Sequence, residues 1–280
     1  MMTQRTGIMP EVSRLGSTLL SLALAGVLVL AAHADLALMA AAVLLVQVLV
    51  AIAPPLTTST GEVVASPRFA PALVAGVVAT ALTFEPDLLD GAAGTSPDVV
   101  GATDTGMLSG VLPAVVAAVF VALAAQMLRK DGRTHLVRSL GYAVLVSVVA
   151  AFTAGWLGTA QSLGDAEAVS VGAAGLAAGL VVWLLPLDRW LCVGLSTVAG
   201  AGGGAAVAAA VDSPMTIFFG VVVGAGAAVL AVLGQVVART MAAGNQQPAA
   251  RWGFPGAMAV AFAAPAVYLG GQLITVPLLR

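Results

Sequence analysis

Apolar runs of roughly membrane-crossing length follow one another along most of this chain, and that repetition narrows its folds more than any other feature. They lie near Leu15–Ala32, Leu36–Ala53, Phe69–Phe84, Met107–Leu128, Ser139–Leu157, Val169–Leu187, Trp190–Val211, Met215–Val237 and Ala257–Leu278. A lipid core about 30 Å thick needs about 20 helical residues to span it. Backbone polar groups in that core must bond within their own segment, which a helix does and an open strand does not. With 60% hydrophobic and 9% charged residues, the chain has too little polar surface to coat a soluble globule. The expectation is all-α: one polytopic integral membrane helix bundle over residues 1–280, with about nine transmembrane helices and no soluble domain.

The charges give the spans a direction. Arg5 and Arg14 precede the first run. The even-numbered gaps carry Arg68, then Arg129, Lys130, Arg133 and Arg138, then Arg189, then Arg239 and Arg251, leaving Arg280 alone on the other side. Acids take the odd-numbered gaps: Asp35, Glu85, Asp87, Asp90, Asp98, Asp104, Asp165, Glu167 and Asp212. Short loops rich in Lys and Arg stay in the cytoplasm. The amino terminus is therefore expected inside and the carboxyl terminus outside, in a cell (cytoplasmic) membrane. One miscounted span would swap the side of every later loop and destroy the sorting. The net charge of −2 says nothing about nucleic acid, since the charges are divided by side, and no nucleic-acid partner is expected.

Tyr142, Trp190 and Trp252 fall near inner boundaries and Trp156 near an outer one, where amphipathic rings settle, while Trp183 lies deeper and is a candidate for helix packing. Arg5 and Arg14, the first run and Ala32-His33-Ala34 mimic a cleavable leader. The run is long for a leader and a second follows after three residues, so it is read as a span.

Helix association in lipid relies on close packing and interhelical hydrogen bonds. G-x-x-x-G spacing occurs at Gly106/Gly110, Gly175/Gly179, Gly200/Gly204 and Gly220/Gly224. Glycines four apart share one helix face and let backbones approach. Gly175, Gly179, Gly200, Gly204, Gly220 and Gly224 are thus candidate packing residues, within the bundle or between copies. Gly202-Gly203-Gly204 raises the alternative of a helix broken at mid-span. Pro265 would kink the last span and free a carbonyl near Ala261.

Ionisable groups deep in the spans are confined to Cys192, which has no ligand neighbours and reads as a small packing residue. His33 and His135 lie in opposite connections, far from any metal-ligand or nucleophile pattern. No catalytic residue, metal or cofactor is expected. Gln47 and Gln235 each place an amide in hydrocarbon and require a partner: interhelical bonding, or a polar seam for a neutral substrate. Arg129, Lys130, Arg133 and Arg138 are candidate contacts for anionic lipid, at about 1 kcal/mol each. Five acids in residues 85–104 lack the order of a calcium loop and read as a solvated linker.

In size, span count and the position of the last loop the chain loosely resembles bacterial phosphatidate cytidylyltransferases, through Phe219–Arg239 and Ala263–Tyr268. It departs from them where that family has a Gly-Asp pair, here Gly234-Gln235, and between Arg239 and Gly256, where acidic, basic and His-Gly-Gly elements are missing. Nucleotidyl transfer needs carboxylates to hold magnesium against phosphates. The resemblance therefore implies at most a relative without that activity.

Three functional readings remain. The first is a non-enzymatic protein acting through helix packing with itself, a membrane partner or lipid. The second is a carrier or flippase for a neutral or lipidic substrate, using Gln47, Gln235 and Gly202–Gly204. The third is a lipid-modifying enzyme working at the membrane edge, for instance through Asp188 or Arg189.

Overall fold

A computed structural model describes residues 11–57, 63–64, 66–85, 88, 110–130, 135–161, 165–211, 216–243 and 249–273. The acidic segment 89–106, Arg133 and the end of the last run lie outside the described residues. The helices, in order, are α1 (Glu11–Ala34), α2 (Leu36–Ala51), α3 (Phe69–Phe84), α4 (Val111–Met127), α5 (Leu136–Phe152), α6 (Gly155–Ala160), α7 (Asp165–Trp183), α8 (Arg189–Ala210), α9 (Ile217–Met241) and α10 (Phe254–Leu273). A single π turn, Ala249–Gly253, leads into α10. The only strands among the described residues are β1 (Leu56–Thr57) and β2 (Val63–Val64), paired antiparallel.

Among the described residues, six helical stretches are long and apolar enough to cross a membrane: α1, α5 with α6, α7, α8, α9, and α10 with its leading turn. Three shorter apolar helices, α2, α3 and α4, account for the other runs. Local chemistry sets several ends. Pro54 and Pro55 stop α2 because proline cannot donate to the helical ladder. The Asp188 carboxylate accepts from the Trp190 amide at 3.1 Å to cap α8, and the Thr216 hydroxyl accepts from Phe219 at 3.5 Å to cap α9. His135 and Asp165 enter α5 and α7 with φ of 53° and 50°, a left-handed turn that both residue types tolerate better than most.

Successive helices run in opposite directions, with α6 continuing α5, as contacts at both ends show. At one end Trp252 packs on Gly16, and Ala250 shares a cavity with Arg68. There too Ser66 bonds the Ser139 carbonyl at 3.1 Å, and Tyr142 bonds the Pro54 carbonyl at 2.6 Å. At the other end His33 meets Ser170 at 3.0 Å, Gln161 bonds the Phe84 carbonyl at 3.3 Å, and Gly270 packs on Val223.

The last helix, α10, forms the centre: Ala257, Val260, Ala263, Ala264 and Val267 are buried against α1, α2, α6, α7 and α9. A smaller cluster of alanines and valines joins α3, α4 and α5. Large apolar side chains such as Leu30, Leu112, Phe120, Val198 and Phe218 are exposed on the outside. So extensive an apolar exterior suits lipid and is rare on water-soluble monomers.

Two sequence expectations differ from this arrangement. Trp156, expected at an interface, is wholly buried and donates its indole N–H to the Val260 carbonyl at 2.9 Å. Helix α8 runs unbroken through Gly202–Gly204. Without water to receive the freed backbone groups, glycine's conformational freedom is no reason to break a helix in an apolar setting. Helix α10 continues through Pro265, which has no amide to offer the Ala261 carbonyl; the Trp156 bond falls one residue earlier, on Val260.

Candidate functional site: an arginine-lined pocket at one end of the bundle

The six glycines singled out by spacing meet at a single three-helix junction of α7, α8 and α9. A methyl on Gly175 would strike the backbone of Gly224, and one on Gly204 would strike the Gly220 carbonyl. At Gly220 it would lie 2.6 Å from Ala208 Cβ, and at Gly179 2.5 Å from Ala228 Cβ. Methyls on Gly200 and Gly224 would each meet the other helix's backbone. These faces are thus filled within one chain. Gly202, by contrast, has nothing within 4 Å of such a methyl.

Gln47 and Gln235 are not neighbours along one path. Gln47, wholly buried on α2, exchanges two hydrogen bonds with Thr80 of α3: its amide donates at 2.8 Å and its carbonyl accepts at 3.1 Å. That closed pair leaves nothing pointing at a ligand. Gln235 on α9 lies instead in a polar cluster against α1. Its amide nitrogen is 3.5 Å from both Thr18 and Ser21 hydroxyls, and its carbonyl accepts from Arg239 at 2.7 Å. Arg239 also donates to the Ser17 hydroxyl at 2.8 Å, and Ser21 donates to the Gly256 carbonyl at 2.9 Å. One turn of α9 separates Gln235 from Arg239, so the amide at i and the guanidinium at i+4 share a face.

This cluster opens onto a pocket of about 230 Å³ lined by Arg14, Trp183, Leu185, Leu187, Arg189, Cys192, Val236, Arg239 and Thr240. Each wall comes from a helix end: the start of α1, the end of α7, the start of α8 and the end of α9. Charge repulsion operates between Arg14 and Arg239. The Nε groups of both arginines and the indole N–H of Trp183 are buried with no acceptor, and Trp183 is only 6% exposed. Arg189 is exposed at the rim. Among the described residues no acidic side chain lines this space. Cys192 is occupied, its thiol donating to the Val182 carbonyl at 3.4 Å. A second cleft of about 230 Å³ shares Arg14 and continues between Leu15, Leu184 and Pro186, largely apolar.

At the same end Arg68 is tied inward, donating from Nε to the Ala53 carbonyl and from Nη1 to the Ser66 carbonyl at 3.3 Å. Its burial lowers its pKa, with Tyr142 acting the other way. Arg129 bonds Gln126 at 2.7 Å and Ser139 at 3.2 Å, so it braces α4 against α5. Lys130 and Arg138 are exposed. Asp188 caps its helix and is not in the pocket lining. Among the described residues no cluster of three or more His, Cys, Asp or Glu could hold a metal.

Spacing pointed to the glycines and to the buried amides. It did not single out Arg14, Arg239 and Trp183 together, because they fall at the ends of three different runs. The available signal was weak: Gln235 and Arg239 on one helical face, with Arg14 just ahead of the first apolar run. Comparison of the chain with family models, with curated proteins and with solved structures finds no match.

Proposed function

We propose that the chain is a non-enzymatic, multi-pass protein of a cytoplasmic membrane that works through close helix packing and through lipid contact at its basic end. In this reading all nine apolar helices cross the bilayer, the amino terminus lies inside and the carboxyl terminus outside. The observation that carries it is the end-to-end sorting of charge. Arg14, Arg68, Arg129, Lys130, Arg138, Arg189, Arg239 and Arg251 belong to the end tied together through Trp252, Ala250, Ser66 and Tyr142. Asp35, Glu85, Asp165 and Glu167 belong to the end tied together through His33 and Gln161. Cytoplasmic retention of basic loops turns that asymmetry into an orientation.

The short helices fit a crossing role. At 1.5 Å per residue, α2, α3 and α4 reach about 24–26 Å, a few Å less than an average bilayer core. They are neighbours, since α3 packs on both α2 and α4. The bilayer would thin on that flank, at a fraction of a kcal/mol per Å.

The test is single-cysteine labelling in a Cys192→Ala background, in intact cells and in inverted vesicles. Cysteine at Lys130 should react with an impermeant maleimide only in inverted vesicles, and cysteine at Asp35 only in intact cells. Labelling of both from one side would end the reading.

A further inference from the structure

We propose that the pocket between α1, α7, α8 and α9 is a specific site for an anionic phospholipid, its phosphate held by Arg14, Arg189, Arg239 and Trp183 and an acyl chain leaving along Leu15 and Leu184. This deepens the reading of a lipid-contacting basic end and rests on it. Three N–H donors, Arg14 Nε, Arg239 Nε and the Trp183 indole, are buried without acceptors among these pocket-lining residues. Such donors are ordinarily satisfied by protein or bound groups, and three around one cavity point to a missing acceptor-rich partner. Guanidinium groups match phosphate oxygens in both geometry and charge.

The pocket sets the head-group class. Among the described residues its lining carries three guanidinium groups and no carboxylate. A choline or ethanolamine head would bring a further cation beside them with nothing to neutralise it. A head group with net negative charge meets no such penalty, and basic pockets between helix ends are the usual place for one. At about 230 Å³ the pocket takes a phosphate and a few attached atoms but not a whole lipid. The remainder needs an apolar exit, and the adjoining cleft provides one that shares Arg14.

Gln235 and Ser17 act as positioning residues. They occupy Nη2 of Arg239 and fix the guanidinium plane, leaving Nε for the ligand. The site is thus held by a bonded scaffold rather than by free surface side chains.

The full-length protein, purified in mild detergent, is titrated with dioleoyl phosphatidylglycerol, dioleoyl phosphatidylcholine or inorganic phosphate, with bound species counted by native mass spectrometry. Phosphatidylglycerol should bind at one saturable site at least tenfold more tightly than phosphatidylcholine. Arg189→Gln, at the exposed rim where folding is not at stake, should weaken phosphatidylglycerol about tenfold, as loss of a charge-assisted contact does. Lys130→Gln, in the other basic loop, should change it less than twofold. Trp183→Phe should weaken it a few-fold with the protein still folded, and Trp183 fluorescence in a Trp156/Trp190/Trp252→Phe background should shift on binding. Competition by inorganic phosphate at low concentration, lost in Arg189→Gln, would assign the same phosphate chemistry to a soluble ligand and overturn the lipid assignment. Equal losses for Arg189→Gln and Lys130→Gln would mean diffuse attraction only and refute the site, while the lipid-contacting basic end would stand. Labelling that places Lys130 outside would refute the orientation, while specific binding would keep the site.

Discussion

Replacing Gly224 by alanine adds one methyl at the tightest point of the α7–α8–α9 junction. Built on the existing backbone, that methyl would lie well inside van der Waals contact with the Gly200 carbonyl oxygen, with Gly204 Cα at 2.9 Å and Gly204 N at 3.0 Å. All three obstacles are main chain, so no side-chain rotation relieves them. Overpacking a close-fitted interior typically costs about 1–3 kcal/mol, and a clash with backbone belongs at the upper part of that range. Alanine's better helix propensity returns up to about 1 kcal/mol. The balance is a loss of about 1–2 kcal/mol, or roughly 2–8 °C in Tm by the soluble-protein scaling for chains of this size. Gly202→Ala is the matched control: it lies on α8, it makes the same propensity change, and nothing lies within 4 Å. It should leave Tm unchanged or raise it slightly. The assay is thermal loss of the monodisperse chromatographic peak in one detergent. Equal Tm for wild type and Gly224→Ala, or equal losses for the two variants, would refute the packing argument.

Three further outcomes follow from the bonded pairs. Gln47→Leu and Thr80→Val should each destabilise by about 1 kcal/mol or more, because each strands a buried partner. The double variant should lose less than their sum, and additivity in a double-mutant cycle would mean the reciprocal bond carries no energy. Trp156→Phe, which removes the donor to Val260 and leaves a small cavity at a wholly buried site, should lower stability by about 1 kcal/mol or more while the far-ultraviolet circular dichroism stays the same; no change in Tm would show the bond to be dispensable. Tyr142→Phe should loosen the segment after α2, seen as faster backbone hydrogen exchange at the Ala53 and Leu56 amides that flank Pro54-Pro55, since the Pro54 carbonyl accepts the phenol; unchanged exchange would locate the restraint elsewhere.

The sequence by itself determined the helical character, the positions of the apolar runs and the segregation of charge. Each follows from local quantities: run length against bilayer thickness, the hydrogen-bond demand of lipid, and which gap a charge falls in. Even the glycine faces of α7, α8 and α9 were legible, since a spacing of four fixes one side of a helix. Which face met which neighbour was decided only by the tertiary structure. The two buried glutamines looked alike in the sequence, yet Gln47 closes a pair with Thr80 while Gln235 braces Arg239. Trp156 sat where an interface ring belongs, but the central placement of α10 buried it. Arg14, Trp183, Arg189 and Arg239 converge although more than 200 residues separate Arg14 from Arg239. Such convergence depends on the order in which the helices surround α10. Packing of nearly featureless Ala, Gly and Val surfaces sets that order, and it leaves no periodic trace in the chain.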